Sequence, residues 1–302
     1  MKGAERLAAA FRQAKEEDRT ALVVFLAAGD PDFETTVELA RAAVEAGADV
    51  LELGVPFSDP LADGPVIQAA YTRALAGGST TTATMDCAAR IARETEAPVV
   101  LMVALNCVLA RGFHGFCAAA AEAGVSGILI PDLPVDDASE MREAAERVGL
   151  GTVFLVGPDS GPDRVAAAAA ASTGFVYLMR RRGITGAGSG GVDLERRLKE
   201  VRAAGSAPVA VGFGISTPED AAELAGVADG VIVGSVLVDT AFRARAAGRD
   251  AGEGMERAVR KVKEAVTGLS RALHVGSEST GVARKNAPGR GSSQKAGRQD
   301  RG

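Results

Sequence analysis

Residues 21–53 read ALVVFLAAGDPDFETTVELARAAVEAGADVLEL. The apolar run Ala21–Leu26 is followed by a segment in which Val37, Ala40 and Val44 fall at i, i+3 and i+7, one face of a helix. Gly47 then offers a stop, and Asp49–Leu53 is a second short, largely apolar run. Strand, helix, strand in that order implies parallel pairing through a right-handed crossover. Working outward, the pattern recurs. Runs at Val99–Val103, Gly127–Ile130, Thr152–Val156, Phe175–Met179, Val209–Val211 and Gly230–Val233 bring the candidate strands to eight. Each is short and mostly apolar, as a strand covered on both faces should be. AEAGVSG (121–127) and RAAGSAP (202–208) repeat the device of a small residue or glycine ending a helix before a strand. Eight such units predict a single (β/α)8 barrel of the α/β class. A doubly wound open sheet commonly has fewer strands, and no GxGxxG follows the first strand. Leu7 and Phe11, four residues apart, predict an extra N-terminal helix able to plug the lower end of the barrel.

The chain has 302 residues, more than the ~250 of a typical barrel. Composition changes after His274: 275–302 is rich in Gly, Ser, Lys and Arg and holds two valines as its only sizeable apolar residues. The expectation is a catalytic barrel over 1–274 and a disordered basic tail over 275–302. The whole chain carries a net charge of −5, which argues against a duplex-nucleic-acid binder. No apolar run reaches the ~18 residues of a membrane helix, and the N-terminus turns acidic where a signal peptide would stay apolar. Three cysteines (Cys87, Cys107, Cys117) without CxxC spacing fit free thiols in a reducing, cytoplasmic compartment. With only His114 and His274, a His-ligated zinc or a Ser-His-Asp triad is nearly excluded.

In such a barrel the active site lies at the C-terminal ends of the strands. Glu52 stands there in an apolar run, sharing one strand face with Val50 while Leu51 and Leu53 share the other. A carboxylate in that place must be paired, hydrogen-bonded or protonated. It is either a structural ion-pair partner or an acid/base whose surroundings raise its pKa toward neutrality. The next loop contains Pro56, Pro60 and Pro65, which stiffen it. Its Asp63 could cap the helix starting near Pro65 or form a carboxylate pair with Glu52. After strand seven comes Val211-Gly212-Phe213-Gly214-Ile215-Ser216, and after strand eight Val233-Gly234-Ser235. Glycines before a helix N-terminus suit an anion, although glycines also make tight turns. The Gly-rich loop 180–191 after strand six reads as a lid or as a flexible surface loop with solvated arginines.

The segment LELGVPFSDPLADGPVIQAA (51–70) closely resembles the signature of the tryptophan synthase alpha chain family. FLAAGDPDFETT, IPDLPVDD, RGITGAG, GFGISTPED and GVIVGSVLV agree in order, so the resemblance spans roughly 3–272. It implies a lyase that cleaves indole-3-glycerol phosphate, retro-aldol fashion, to indole and glyceraldehyde 3-phosphate in tryptophan biosynthesis. It implies Glu52 as general acid/base and Asp63 as the partner of the indole N–H. Phe25 and Ile67 match residues lining the indole pocket, Tyr177 an active-site tyrosine, and Thr185 the lid threonine. Gly186, Gly214, Gly234 and Ser235 match phosphate-holding positions, with Phe213 among the substrate-binding loop residues. No metal or cofactor is implied for this chain. The implied partner is a pyridoxal-phosphate-dependent beta chain in an alpha2beta2 tetramer. The chain departs from many relatives, which have a tyrosine near Ala104, a proline at Cys107 and frequently a serine at Arg180. Two other classes compete: an indole-releasing lyase that works without a partner, and a non-catalytic barrel contacting RNA through its tail. Activation by a beta chain separates the first from the family reading, and deletion of 275–302 tests the second.

Overall fold

The computed structural model describes residues 1–180 and 190–275, with side chains for all of these except 190–193. Eight strands are present: β1 (Ala21–Ala27), β2 (Val50–Gly54), β3 (Val99–Met102), β4 (Gly127–Leu129), β5 (Gly151–Val156), β6 (Phe175–Met179), β7 (Val209–Gly212) and β8 (Gly230–Val233). They pair in parallel, in chain order, and β8 returns to β1 to close a barrel. The runs read from the sequence are these strands, with ends displaced by at most a residue. Asp49 falls outside β2 because its carboxylate is otherwise engaged. It accepts the Leu22 N–H at 2.8 Å and pairs with Arg19 at 2.5 Å.

Strand alternation divides the apolar residues into two compartments. Val23, Val50, Val100, Val153, Phe175 and Ile232 fill the barrel interior. Leu22, Val24, Leu51, Leu53 and Leu101 face outward against the helices. Both faces are packed, so the strands read as continuous apolar runs. Glu52, on the Val50 face of β2, is thereby directed inward.

The helix Gly3–Glu16 closes the lower end, as Leu7 and Phe11 suggested. Leu7 is fully buried, and its Cδ1 lies 2.9 Å from where a Cβ on Gly127 or Gly151 would stand, and 3.1 Å for Gly174. The glycines at the bottoms of β4, β5 and β6 thus make room for one leucine. Phe11 packs on Phe175 with ring centroids 5.6 Å apart.

Two helices carry the loops at the opposite end. Helix Pro65–Ala76 buries Ile67, Ala70, Tyr71 and Ala74, an i, i+3, i+4, i+7 stripe. Helix Ser235–Ala246 follows β8. Arg73 of the first bonds Asp30 through two nitrogens at 2.8 and 2.7 Å, and its guanidinium lies 4.0 Å over the Phe242 ring of the second. Arg245 reaches Asp32 and Thr35, each at 3.0 Å. Both helices are therefore fixed to the loop after β1. Among the described residues, no helix is long and apolar enough to cross a membrane. The basic tail expected over 275–302 lies outside the described residues except for Val275, whose N–H donates to the Asp18 carbonyl at 2.8 Å.

Candidate active site

Glu52 lies two residues before the end of β2 and is 1% exposed. Its neighbours in register are Phe25 on β1 and Val100 on β3. Oε2 has no hydrogen-bond partner, and among the described residues no cation pairs with the carboxyl. The ion-pair reading therefore has no support in the geometry. Burial, and secondarily the charge of Asp63, pushes the Glu52 pKa up to about 8. At neutral pH it is mostly a neutral acid.

Asp63 is half-buried on the loop between β2 and helix Pro65–Ala76. The cap of that helix is Gly64, without a side-chain bond, and Pro65 occupies its first turn. Asp63 is held by its backbone: its N–H donates to the Pro60 carbonyl at 3.1 Å, and its carbonyl accepts from Gln68 Nε2 at 2.9 Å. The carboxylate makes no hydrogen bond among the described residues. Burial raises its pKa to about 6, so at neutral pH it is mostly ionised. One loop and one strand thus set a protonated carboxyl and a carboxylate close enough for the second to influence the first.

Both open into a cavity of about 640 Å³ at the C-terminal end of the barrel. Phe25, Ile67 and Tyr177 line it with them, as do Phe213, Gly214, Gly234 and Ser235 on the loops after β7 and β8. These nine are all the sequence-predicted site residues within the described chain. Thr185 and Gly186 lie outside it. Tyr177 projects from β6 under Gly212, where a Cβ would stand 2.6 Å from the phenol oxygen. Its ring meets Phe213 edge-on at 6.4 Å. Phe213 has φ +74°, a left-handed conformation that costs a non-glycine residue about 1–3 kcal/mol.

The rim after β8 suits an anion. Gly234 caps helix Ser235–Ala246 without a side-chain bond, and its carbonyl takes the N–H groups of Leu237 and Val238. The N–H groups of Ser235 and Val236 have no intrahelical partner. With the Ser235 hydroxyl and the helix dipole they offer the kind of donors that an anion accepts. No lysine or arginine is among the described residues lining the cavity, so a phosphate there depends on backbone donors. Asp239, on the same rim, is paired with Arg243 at 2.8 Å. Arg180, just before the loop after β6, points away to Glu223 at 3.1 Å.

Sequence reasoning missed Leu129, Leu155 and Ile232, which complete the apolar floor, and Met102 and Met179 at the strand ends. Strand alternation would have marked Leu155, which sits beside Tyr177 in register. It also missed Tyr71, whose phenol oxygen lies 2.3 Å from where a Gly54 Cβ would be. Tyr71 carried no signal beyond its place on an apolar helical stripe. Among the described residues, no group of His, Cys, Asp and Glu could hold a metal ion.

A closed barrel, a neutral buried acid near a carboxylate, and a helix N-terminus opening on the same apolar cavity are the features of a barrel enzyme of the acid–base type. The family model for the tryptophan synthase alpha chain matches residues 11–272. The alpha chain of Citrifermentans bemidjiense is 47% identical over 234 residues, covering 77% of this chain and 88% of that one. The alpha subunit of tryptophan synthase from Legionella pneumophila superposes with a TM-score of 0.79 at 32% identity, over 90% of this chain and 98% of that one. Tryptophan synthase from M. tuberculosis, in an open form with BRD0059 bound, gives 0.78 at 34% identity, over 90% and 99%. The chain belongs to the tryptophan synthase alpha chain family. Its activity is the family's, that of a lyase cleaving indole-3-glycerol phosphate in tryptophan biosynthesis.

Proposed function

We propose that Glu52 and Asp63 carry this cleavage. Glu52, protonated at neutral pH, donates its proton to C3 of the indole ring, and positive charge develops on the ring nitrogen. The Asp63 carboxylate accepts a hydrogen bond from the indole N–H and stabilises that charge. The Glu52 carboxylate so formed removes the proton of the side-chain hydroxyl next to C3. The carbon–carbon bond breaks, its electron pair restores the ring double bond, and the hydroxyl carbon becomes the aldehyde of glyceraldehyde 3-phosphate. Glu52 ends protonated, as it began. Phe25, Ile67 and Tyr177 hold the ring, and the backbone at Gly214, Gly234 and Ser235 holds the phosphate, with Phe213 packed beside it. Thr185 and Gly186 belong to the same substrate-binding set by resemblance.

The observation that carries this reading is the Glu52 carboxyl, buried, without a partner for Oε2, and opening on a cavity that a helix N-terminus also lines. Glu52→Gln and Asp63→Asn are each expected to lower indole release by about 100-fold or more. Near-native turnover in both, with the fold intact by circular dichroism, overturns the assignment.

The partner proposed is the tryptophan synthase beta chain, in an alpha2beta2 assembly whose pyridoxal phosphate belongs to the beta chain. Support comes from the likeness to structures described as tryptophan synthase, and from Leu61, 95% exposed on the loop that carries Asp63. The check is indole release with and without a beta chain. Strong activation is expected; unchanged turnover would indicate a lyase acting alone.

A further inference from the structure

Beside the main cavity lies a smaller one of about 70 Å³, room for a few water molecules. Among the polar side chains lining it are three carboxylates (Asp59, Asp63 and Asp132) and the Tyr71 phenol. Two of the carboxylates already have donors. Asp59 accepts the Ser58 hydroxyl at 2.5 Å, and Asp132 accepts the Leu105 N–H at 2.9 Å. Asp63 has none among the described residues, and the phenol is the sole side-chain donor in the lining. Tyr71 is 2% exposed, and its oxygen is held over Gly54, two residues beyond Glu52. On the β3 side, Ala104 offers only a methyl group. The ring is locked among Phe25, Ile67, Ala70 and Val238, so the hydroxyl has little freedom to point elsewhere.

We infer that Tyr71 is a positioning residue for Asp63: its phenol donates to the Asp63 carboxylate through one water in this cavity, and fixes the oxygen that receives the indole N–H. The inference rests on the role proposed above for Asp63. The ionisable groups around Asp63 are Glu52 from β2, Tyr177 from β6 and Tyr71 from helix Pro65–Ala76. Those around the phenol are Asp63, Glu52 and Cys107. Burial and the two carboxylates hold the phenol well above its ordinary pKa, so it stays a donor throughout the working range. A donor on a carboxylate favours the charged form, which is the form that binds the N–H.

The test is Tyr71→Phe in the full chain, which keeps the ring and removes one oxygen. A hydrogen bond to a charged group is worth ~1.5–3 kcal/mol, and water will replace part of it. Expected are a kcat for indole release about tenfold lower, a KM within about twofold, and an acid limb of the kcat–pH profile displaced upward. The thermal midpoint should stay near that of the unmodified chain. In an Asp63→Asn background the same change should add nothing further. An unchanged profile and kcat would reduce Tyr71 to packing, and additive losses in the double variant would show that it does not act through Asp63. Either result leaves the Glu52 and Asp63 assignment standing. That assignment fails separately, if Asp63→Asn alone retains activity.

Discussion

Glu52 and Asp63 are both carboxyls with raised pKa values, yet different burial separates them by enough to divide their work. The acid must be protonated to act and titrates near 8; the N–H acceptor must be ionised and titrates near 6. Activity therefore rises as pH passes about 6 and falls as it passes about 8, and the two limbs belong to the coupled pair. The expected kcat/KM for indole release is bell-shaped with a maximum near pH 7. A profile flat to pH 10 would mean that no acid near 8 takes part. Glu52 was legible in the sequence because a carboxylate in an apolar strand has few inexpensive explanations. Asp63 was half legible, since an aspartate ahead of a helix is more often a cap. The structure gives that place to Gly64 and leaves the carboxylate to the cavity. Tyr71 was not legible. At i+4 from Ile67 it reads as one more core residue, and only barrel closure brings its hydroxyl over Gly54.

At the scale of elements, the eight strands were readable because each is covered on both faces, which removes polar residues from the runs between helices. Their ends were less so: Asp49 looks like the start of β2 until its bonds to Arg19 and Leu22 are seen. The N-terminal helix is the other legible element, though the glycines that receive it are legible only once β4, β5 and β6 stand side by side. Leu7 fills that space with no exposure. Leu7→Ala is expected to cost about 2–5 kcal/mol, because glycine backbones beneath it cannot collapse to fill the void. The plug is at the end of the barrel opposite the site, so KM should not change. Urea unfolding measures the first and steady-state kinetics the second. A loss below ~1 kcal/mol would show that the plug is not part of the cooperative core.

For the whole molecule, the buried acid is a cost that depends on pH. Glu52 has an ordinary value of 4.5 in the unfolded chain and about 8 in the fold, so the native state holds its proton more tightly. Between those values the native state binds more protons, and stability falls as pH rises. Below about 4.5 both states are protonated and the penalty is absent; above about 8 it is complete. Asp63 acts in the same direction over a lower and narrower window, from 3.8 to about 6. Exposed carboxylates such as Glu45, bonded to Lys263, have lowered values and act oppositely, losing their contribution as pH falls. They are solvated, however, and their contribution is small. A tenfold change in proton affinity between the two states corresponds to about 1.4 kcal/mol, so the cost of ionising Glu52 in the fold is large beside a typical stability of about 5–15 kcal/mol. Glu52→Gln has nearly the same shape and cannot ionise. Its thermal midpoint should match that of the unmodified chain near pH 4.5, exceed it by several degrees at pH 7, and exceed it further at pH 9. A difference independent of pH would mean that the carboxyl titrates alike in the folded and unfolded chain, and the proton that the proposed reaction requires at neutral pH would then be missing.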